Sequence, residues 1–181
     1  MAGPARAPVT RDPGLRLARL CELLNAQRVR YLVVGAAAMQ LWGTTRATRA
    51  TRDIDILVEP TLGNAELVLR ALSALPFGVA AELTPQDLIA RPVTRIGDVP
   101  NVDVLTRAWH LGWDEAVRDV TVFEVEGVPI PTVSLANLIA SKRTGRTQDN
   151  ADIELLEALQ TLRARLANAT GDANRSFPRP A

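Results

Sequence analysis

Two aspartates stand two residues apart in the segment 53–58 (Asp-Ile-Asp-Ile-Leu-Val), the clearest strand pattern of the sequence. Successive side chains of a strand point to opposite faces, so both carboxylates are predicted on one face and the isoleucines in the core. Two like charges this close repel each other unless a cation lies nearby. Mg²⁺ and Mn²⁺ prefer carboxylate and phosphate oxygens. The pattern is therefore typical of a divalent metal site, although solvent-facing acids on a half-exposed strand explain it equally well.

A third aspartate repeats this pattern farther along the chain. Asp103 lies between Val102 and Val104 in a second predicted strand, so its carboxylate also points away from the core. If that strand neighbours the first, three carboxylates gather at one edge of the sheet. Such a set suits two metal ions roughly 4 Å apart, which clamp the attacking and leaving oxygens of a phosphoryl displacement.

The elements that must position these acids alternate along the chain. Apolar spacing predicts helices at 15–27, 36–42, 62–75, 84–90, 134–141 and 151–166. Short apolar or alternating runs predict strands at 31–34, 53–58, 94–96, 102–105, 120–125 and 128–133. Gly35 is then a strand-to-helix turn. The predicted fold is α/β (α+β), a mixed sheet flanked by helices.

Length and composition indicate one domain with two short appendages. A chain of 181 residues with 47% hydrophobic residues closes one core without disulfides or a structural metal. We predict this domain over 14–170, with a flexible Pro-, Ala- and Arg-rich arm at 1–13 and a flexible tail at 171–181. The formal net charge of +1 provides no overall basic field, so any contact with nucleic acid must be local.

Several classes of protein and site do not fit the sequence. The single cysteine, Cys21, leaves no internal disulfide, and with the single histidine, His110, it argues against a Cys/His zinc site. Cys21 is expected to be a small buried residue of a helix. The first residues lack the apolar core of a signal peptide, and no apolar run approaches the roughly 20 residues that cross a membrane. A cytoplasmic protein without membrane contact is therefore expected.

Two segments carry a family resemblance through their order and separation. Residues 31–38 (Tyr-Leu-Val-Val-Gly-Ala-Ala-Ala) precede a loop with Arg and Thr and then the strand of Asp53 and Asp55. This arrangement resembles the opening of the polymerase-β-like nucleotidyltransferase superfamily. The segment 133–153 resembles the close of its minimal bacterial branch, which includes AbiEii-like abortive-infection toxins and small antibiotic nucleotidyltransferases. The resemblance covers about residues 29–159.

The resemblance implies a metal-dependent enzyme that transfers a nucleoside monophosphate from an NTP to an acceptor. Asp53, Asp55 and Asp103 would hold Mg²⁺ or Mn²⁺, and Asp103 would help to deprotonate the acceptor hydroxyl. Lys142 would complete the catalytic set as a point charge on the phosphates. An exposed helix lysine is the alternative interpretation of Lys142.

The resemblance also implies a set of nucleotide-binding residues around the first glycine and the last helix. They are Gly35, Ala36, Thr44, Arg52, Lys142 and Asp152. Asp149 and Asp152 would share a helix face with Arg146 and orient Lys142 or the acceptor. Arg46, Arg49 and Arg52 form either a solvated basic loop or a grip on the triphosphate, with Arg52 the preferred contact.

The chain departs from the family pattern directly after Gly35. The family places a second glycine and a Ser or Thr where this chain has Ala36 and Ala37. Alanine keeps the backbone N–H donors but lacks a hydroxyl for the phosphates, a role that Thr44 and Thr45 would take over.

The acceptor and the partners stay open at this point. A tRNA 3′ end or a partner protein fits the toxin branch, which implies a cognate antitoxin or toxin, and a small hydroxylated molecule fits the antibiotic branch. The alternative function is a catalytically inactive module of the same fold that acts as an antitoxin or binding partner. Trp109 and Trp113 are expected to pack a loop over the sheet rather than to stack on a base.

Overall fold

Helices and strands alternate in the computed structural model, which describes residues 13–44, 53–143 and 147–173. The strands are β1 (Tyr31–Val33), β2 (Asp53–Val58), β3 (Val93–Ile96), β4 (Asn101–Leu105), β5 (Arg107–Ala108), β6 (Leu111–Gly112), β7 (Val120–Val125) and β8 (Val128–Val133). The helices are α1 (Pro13–Ala26), α2 (Gly35–Leu41), α3 (Leu62–Leu72), α4 (Pro85–Ile89), α5 (Trp113–Ala116), α6 (Leu135–Lys142) and α7 (Thr147–Ala173), with a 3₁₀ turn at Val79–Glu82.

Six strands form a mixed sheet in the order β3-β4-β2-β1-β8-β7. Strand β2 runs parallel to β4 and antiparallel to β1, and β1 runs parallel to β8. The outer strands β3 and β7 each pair with their neighbour as antiparallel hairpins. Strands β5 and β6 form a separate two-stranded hairpin. The predicted fold class, a mixed sheet flanked by helices, is therefore confirmed.

The core is aliphatic, as the scarcity of aromatic residues requires. The inward side chains of β2 and β4 are fully buried or nearly so, for example Ile54, Ile56 and Val104. Helix α1 packs against α3 and β8 with Leu20 and Leu24 fully buried. Each such side chain contributes roughly 1.5–3 kcal/mol through its removal from water. Cys21 is fully buried in the same helix, as expected.

Local signals fix where several helices begin. The side chain of Ser134 accepts a hydrogen bond from the backbone N–H of Asn137 and caps α6, as predicted. Thr84 and Asp87 form a reciprocal capping box at α4. Helix α2 begins at Gly35, which confirms the predicted strand-to-helix turn.

Two helices, α3 and α7, differ from the prediction by more than two residues at an end. Helix α3 stops at Leu72 rather than Leu75, because Pro76 disfavours the helical conformation of the residue before it. Helix α7 runs from Thr147 to Ala173, beyond the predicted 151–166, since no proline or glycine interrupts the chain before Gly171.

The predicted appendages fall mostly outside the described residues, which leave out 1–12 and 174–181. Helices α1 and α7 each reach into the adjoining appendage, because they begin at Pro13 and end at Ala173. Within the described residues, every helix is too short or too polar to cross a bilayer.

Candidate active site

Strands β2 and β4 bring the three predicted aspartates together. The two strands are parallel neighbours, with Asp55 directly opposite Asp103 and Asp53 opposite Asn101. The sequence-based condition for a shared acidic edge is therefore met. Asp53 and Asp55 are half-buried, and Asp103 is buried with 9% of its surface exposed. The side-chain amide of Asn101 donates a hydrogen bond to Oδ1 of Asp53 at 2.8 Å.

An arginine that the sequence analysis missed binds two of these acids. Arg95 lies opposite Asp103 in the antiparallel β3–β4 pair. Its Nε and Nη2 each donate to one oxygen of Asp103 at 2.8 Å, and Nη2 also lies 3.3 Å from Oδ2 of Asp53. The planar fork of a guanidinium matches a carboxylate in this way. The signal was present in part, because the short segment between the predicted strands 94–96 and 102–105 favours a hairpin that pairs them.

This arginine explains why the acids do not form a ready metal centre. Within the described residues, no three His, Cys, Asp or Glu side chains are arranged to hold a metal ion. The oxygens of Asp103 and one oxygen of Asp53 are directed at Arg95 instead. The chemistry of the three carboxylates fits Mg²⁺ or Mn²⁺. Their arrangement in this structure does not form such a site, because Arg95 contacts two of the three acids.

Asp55 lies outside the arginine contact and against the backbone of Gly35. A Cβ atom at Gly35 would overlap Oδ2 of Asp55, and Gly35 has a φ of +63°, a conformation that favours glycine. Burial, reinforced by the charge of Asp103, raises the pKa of Asp55 to about 6, although Lys142 acts in the opposite direction. The glycine therefore makes room for a carboxylate that is costly to ionise in this structure.

Lys142, at the end of α6, is held by two acids of α7. Its Nζ lies 2.8 Å from Oδ2 of Asp152 and 3.5 Å from Oδ1 of Asp149. The lysine side chain is 16% exposed and each acid 13%. The contacts predicted between Lys142 and these two acids are present, and the exposed-lysine interpretation is wrong. Arg146, predicted on the same helix face, lies outside the described residues.

A cavity of about 610 Å³ connects the acidic edge to the lysine. Its lining includes Gly35, Asp55 and Lys142 as well as Trp109 and His110. Its size lies within the usual range for small-molecule sites, roughly 300–1,000 Å³.

Other predicted nucleotide contacts are placed elsewhere. Thr44 is buried, and its hydroxyl donates to the carbonyl of Met39 at 2.7 Å, so the structure does not support its contact with phosphate. Ala36 is half-buried in the first turn of α2. The remaining predicted contacts of the loop, at Thr45, Arg46, Arg49 and Arg52, lie outside the described residues.

The two neighbouring tryptophans differ in their surroundings. Trp113 is buried, with the guanidinium of Arg30 5.7 Å from its ring centre, as expected for a packing residue. Trp109 is 48% exposed at the tip of the β5–β6 hairpin, so it is only partly a packing residue.

Solved structures of two proteins resemble this fold. An antigenic nucleotidyltransferase-like protein from Paracoccidioides brasiliensis matches with a TM-score of 0.50 and 16% identity, over 93% of this chain and 94% of that chain. A candidate nucleotidyltransferase from Thermotoga maritima matches with a TM-score of 0.46 and 18% identity, over 87% of this chain and 95% of that chain. No protein-family model and no curated protein matches the sequence. The likeness is one of fold, that of a nucleotidyltransferase-like protein.

Proposed function

We propose that the chain is a nucleotidyltransferase that transfers a nucleoside monophosphate from an NTP to an acceptor hydroxyl with the help of Mg²⁺ or Mn²⁺, so that the acceptor oxygen bonds to the α-phosphorus and pyrophosphate leaves. The observation that carries the proposal is the direct juxtaposition of Asp55 and Asp103 on parallel strands, with Asp53 beside them. Three carboxylates at one sheet edge are costly unless a cation neutralises them. Lys142 lines the cavity beside them, and its ammonium group suits the binding of phosphate.

Each residue of the proposed site has one task. Asp53, Asp55 and Asp103 would hold the divalent cation, which would supply neutralising charge to the phosphate oxygens. Lys142 donates to the phosphates, and its two acids keep its ammonium group in place. Gly35 leaves room for the Asp55 carboxylate at the turn where the nucleotide approaches. Asp103 accepts the proton of the acceptor hydroxyl after Arg95 has moved away from it.

The small net charge of the chain limits the kind of acceptor that it can bind. A net charge of +1 provides little clustered positive charge for a long RNA. An RNA acceptor would therefore be bound near its end, such as the tRNA 3′ terminus, and a protein or a small hydroxylated molecule needs no wider surface. A role in a toxin–antitoxin pair would add a cognate protein partner.

A labelling experiment tests the proposal. The purified chain is incubated with Mg²⁺ or Mn²⁺, each of the four α-³²P-NTPs, and either cell extract, tRNA or no acceptor. We expect label in one acceptor class, and a loss of at least about 1,000-fold in the Asp53→Asn and Asp55→Asn variants, because these acids hold the cation. Asp114→Asn, an exposed acid of α5, is the matched control and should keep full activity.

One observation favours the second candidate function, a catalytically inactive module that binds a partner protein. Arg95 already neutralises two of the acids, and neither Ala36 nor Thr44 offers a free hydroxyl to the phosphates. This candidate predicts no label transfer and no rise in melting temperature with any NTP and Mg²⁺. If nucleotide raises the melting temperature but no acceptor becomes labelled, the chain binds nucleotides and the transferase proposal is wrong.

A further inference from the structure

The tip of the β5–β6 hairpin presents an aromatic side chain to solvent. Trp109 is 48% exposed and has a φ of +57°, a left-handed conformation that is rare for a bulky residue. The Arg107 Nε donates to the Trp109 carbonyl at 3.2 Å and helps to hold this turn. Strained conformations of this kind cluster at ligand sites. Hydrophobic burial alone therefore does not explain why Trp109 lies at the tip of the hairpin.

The cavity beside the acidic edge is lined by two chemically different sets of residues. Its charged residues are Asp55, Arg107, Lys142 and Asp149. Its apolar and aromatic residues include Pro92, Val93, Leu105, Ala108, Trp109 and His110. The His110 ring meets the Trp109 ring edge-on, with centroids 5.9 Å apart. A nucleoside triphosphate combines the same two chemistries, because it has a charged phosphate chain and a flat aromatic base.

We propose that Trp109 is the stacking wall of a nucleobase subsite, with His110 beside it. This inference rests on the proposed function, since the triphosphate must lie toward Asp55 and Lys142. Stacking of a base on an aromatic side chain is tolerant of base identity. The subsite therefore strengthens the binding of all four NTPs rather than selecting one of them.

Binding measurements separate this subsite from the phosphate site. Isothermal titration with Mg²⁺ compares the four NTPs with inorganic tripolyphosphate on the full chain and on Trp109→Ala and Trp109→Phe. We expect Trp109→Ala to weaken every NTP by about tenfold or more and to leave tripolyphosphate unchanged, and Trp109→Phe to retain most of the affinity. Phe77→Ala removes a ring that is 63% exposed in another part of the chain and is the matched control.

Each outcome decides between the two claims. If NTPs bind and Trp109→Ala binds them as tightly, the subsite is refuted while the phosphate site stands. If neither NTPs nor tripolyphosphate bind, the proposed function fails and the subsite fails with it. Equal weakening of tripolyphosphate by Trp109→Ala, with Trp109→Phe no better, would show a structural role for the ring and refute stacking.

A different observation concerns the outer half of α7. Every residue from 160 to 168 is exposed. Leu155, Leu162 and Leu166 are 38%, 55% and 58% exposed, and with the partly buried Leu159 they form one stripe along the helix. Their spacing of four, three and four residues keeps them on one face. Such a row of leucines is typical of a helix that pairs with another helix.

The stripe and its charges match a second copy of the same helix in the antiparallel direction. The spacing is the same from either end, so Leu155 would meet Leu166 of the second copy and Leu159 would meet Leu162. Glu154 and Arg165 flank the stripe on one side, and neither has an opposite charge three or four residues away in α7. Antiparallel pairing brings Glu154 near Arg165 of the second copy, because residues that flank the stripe on the same side then face each other.

We further infer that α7 forms an antiparallel dimer through this stripe. Sedimentation equilibrium of the full chain should show a concentration-dependent dimer, and Leu162→Glu should weaken it by at least about tenfold, because a buried unpaired charge opposes association. Leu62→Glu adds the same charge at a leucine of α3 that is 45% exposed and should not change it.

Charge exchange tests the direction of the helices. Glu154→Arg and Arg165→Glu should each weaken the dimer, and the double variant should restore it, since the exchanged pair attracts again. If the chain stays monomeric at millimolar concentration, the dimer is refuted. The stripe would then be covered by the chain's own residues or by another protein. A dimer that is insensitive to both single variants refutes the antiparallel arrangement.

Discussion

The candidate site contains two basic side chains, each bound to two acids, in opposite surroundings. Lys142 is 16% exposed and lies between α6 and α7, whereas Arg95 is 63% exposed and lies on the outer strand β3. Breaking a mostly buried ion pair leaves charges that water reaches poorly, but an exposed pair exchanges easily with solvent ions. The comparison indicates that the lysine is a fixed part of the site and the arginine a replaceable one.

The position of Arg95 gives this difference a chemical meaning. Its guanidinium occupies the place between Asp53 and Asp103 that a divalent cation would need. The acids raise the pKa of Arg95 above its usual value, chiefly through the hydrogen bond with Asp103, so it stays charged. We therefore expect Arg95 to balance the acids when the cation is absent and to leave when the cation binds.

The largest effect is expected where the enclosed pair is broken. Lys142→Met leaves Asp149 and Asp152 without their cation, so the free energy of unfolding should fall by about 3 kcal/mol. Urea titration measures it. Adding Asp149→Asn and Asp152→Asn to Lys142→Met should recover most of the loss. Stability that is unchanged in Lys142→Met would show that the pair is solvated rather than enclosed.

The contrast between Lys142 and Arg95, each with its two acids, also explains which features could be predicted from the sequence. The alternation around Asp53 and Asp55 determines their common face, and this feature depends on local pattern. The position of the strand of Asp103 beside theirs depends on a parallel crossover of the chain, so the sequence analysis could state it only as a condition. The enclosure of Lys142 depends on how α6 packs against α7, and no local pattern reports that.

The two residues that were misjudged illustrate the same limit. Arg95 was overlooked because its partner stands eight residues away, across a register that the sequence only implies. Thr44 was predicted as a phosphate contact, yet its hydroxyl closes the end of α2 on Met39. A side chain with several possible partners is assigned only once the backbone is placed.

A second, pH-dependent effect is expected at Asp55, the third acid of the site that contains Lys142 and Arg95. Its pKa is about 6 in the folded chain, against 3.8 for an unperturbed carboxyl. The stability contributed by the extra bound proton is fully present below about pH 4 and is lost as the pH rises through 6. Asp55→Asn, which does not ionise, should therefore be more stable than the wild type above pH 6, by up to about 3 kcal/mol.

Urea titrations from pH 4 to 8 without divalent cations measure this difference. The stability of the two chains should converge near pH 4, and Asp114→Asn should differ from the wild type by the same amount at every pH. A constant difference between Asp55→Asn and the wild type across this range would mean that burial does not oppose ionisation of Asp55.

The smallest effect on stability is expected at Arg95, whose ion pairs with Asp103 and Asp53 are the more exposed ones. Arg95→Gln removes the counter-charge of Asp103 and Asp53, so its melting temperature should fall in the absence of divalent cations. Because a cation takes over the same task, Mg²⁺ should raise the melting temperature of Arg95→Gln more than that of the wild type. Arg91→Gln, on the neighbouring exposed chain segment, is the control. An equal response of both chains to Mg²⁺ would contradict the exchange of arginine for metal.

The exchange itself is measured most directly by the affinity for Mn²⁺, followed by electron paramagnetic resonance of the free ion in the absence of nucleotide. Removing a positive charge a few ångströms from the site should strengthen binding on the order of tenfold in Arg95→Gln. Asp55→Asn should abolish binding, and Arg91→Gln should match the wild type. A wild type and an Arg95→Gln chain that both fail to bind Mn²⁺, or that bind it equally, would contradict a cation site built from these three aspartates and balanced by Arg95.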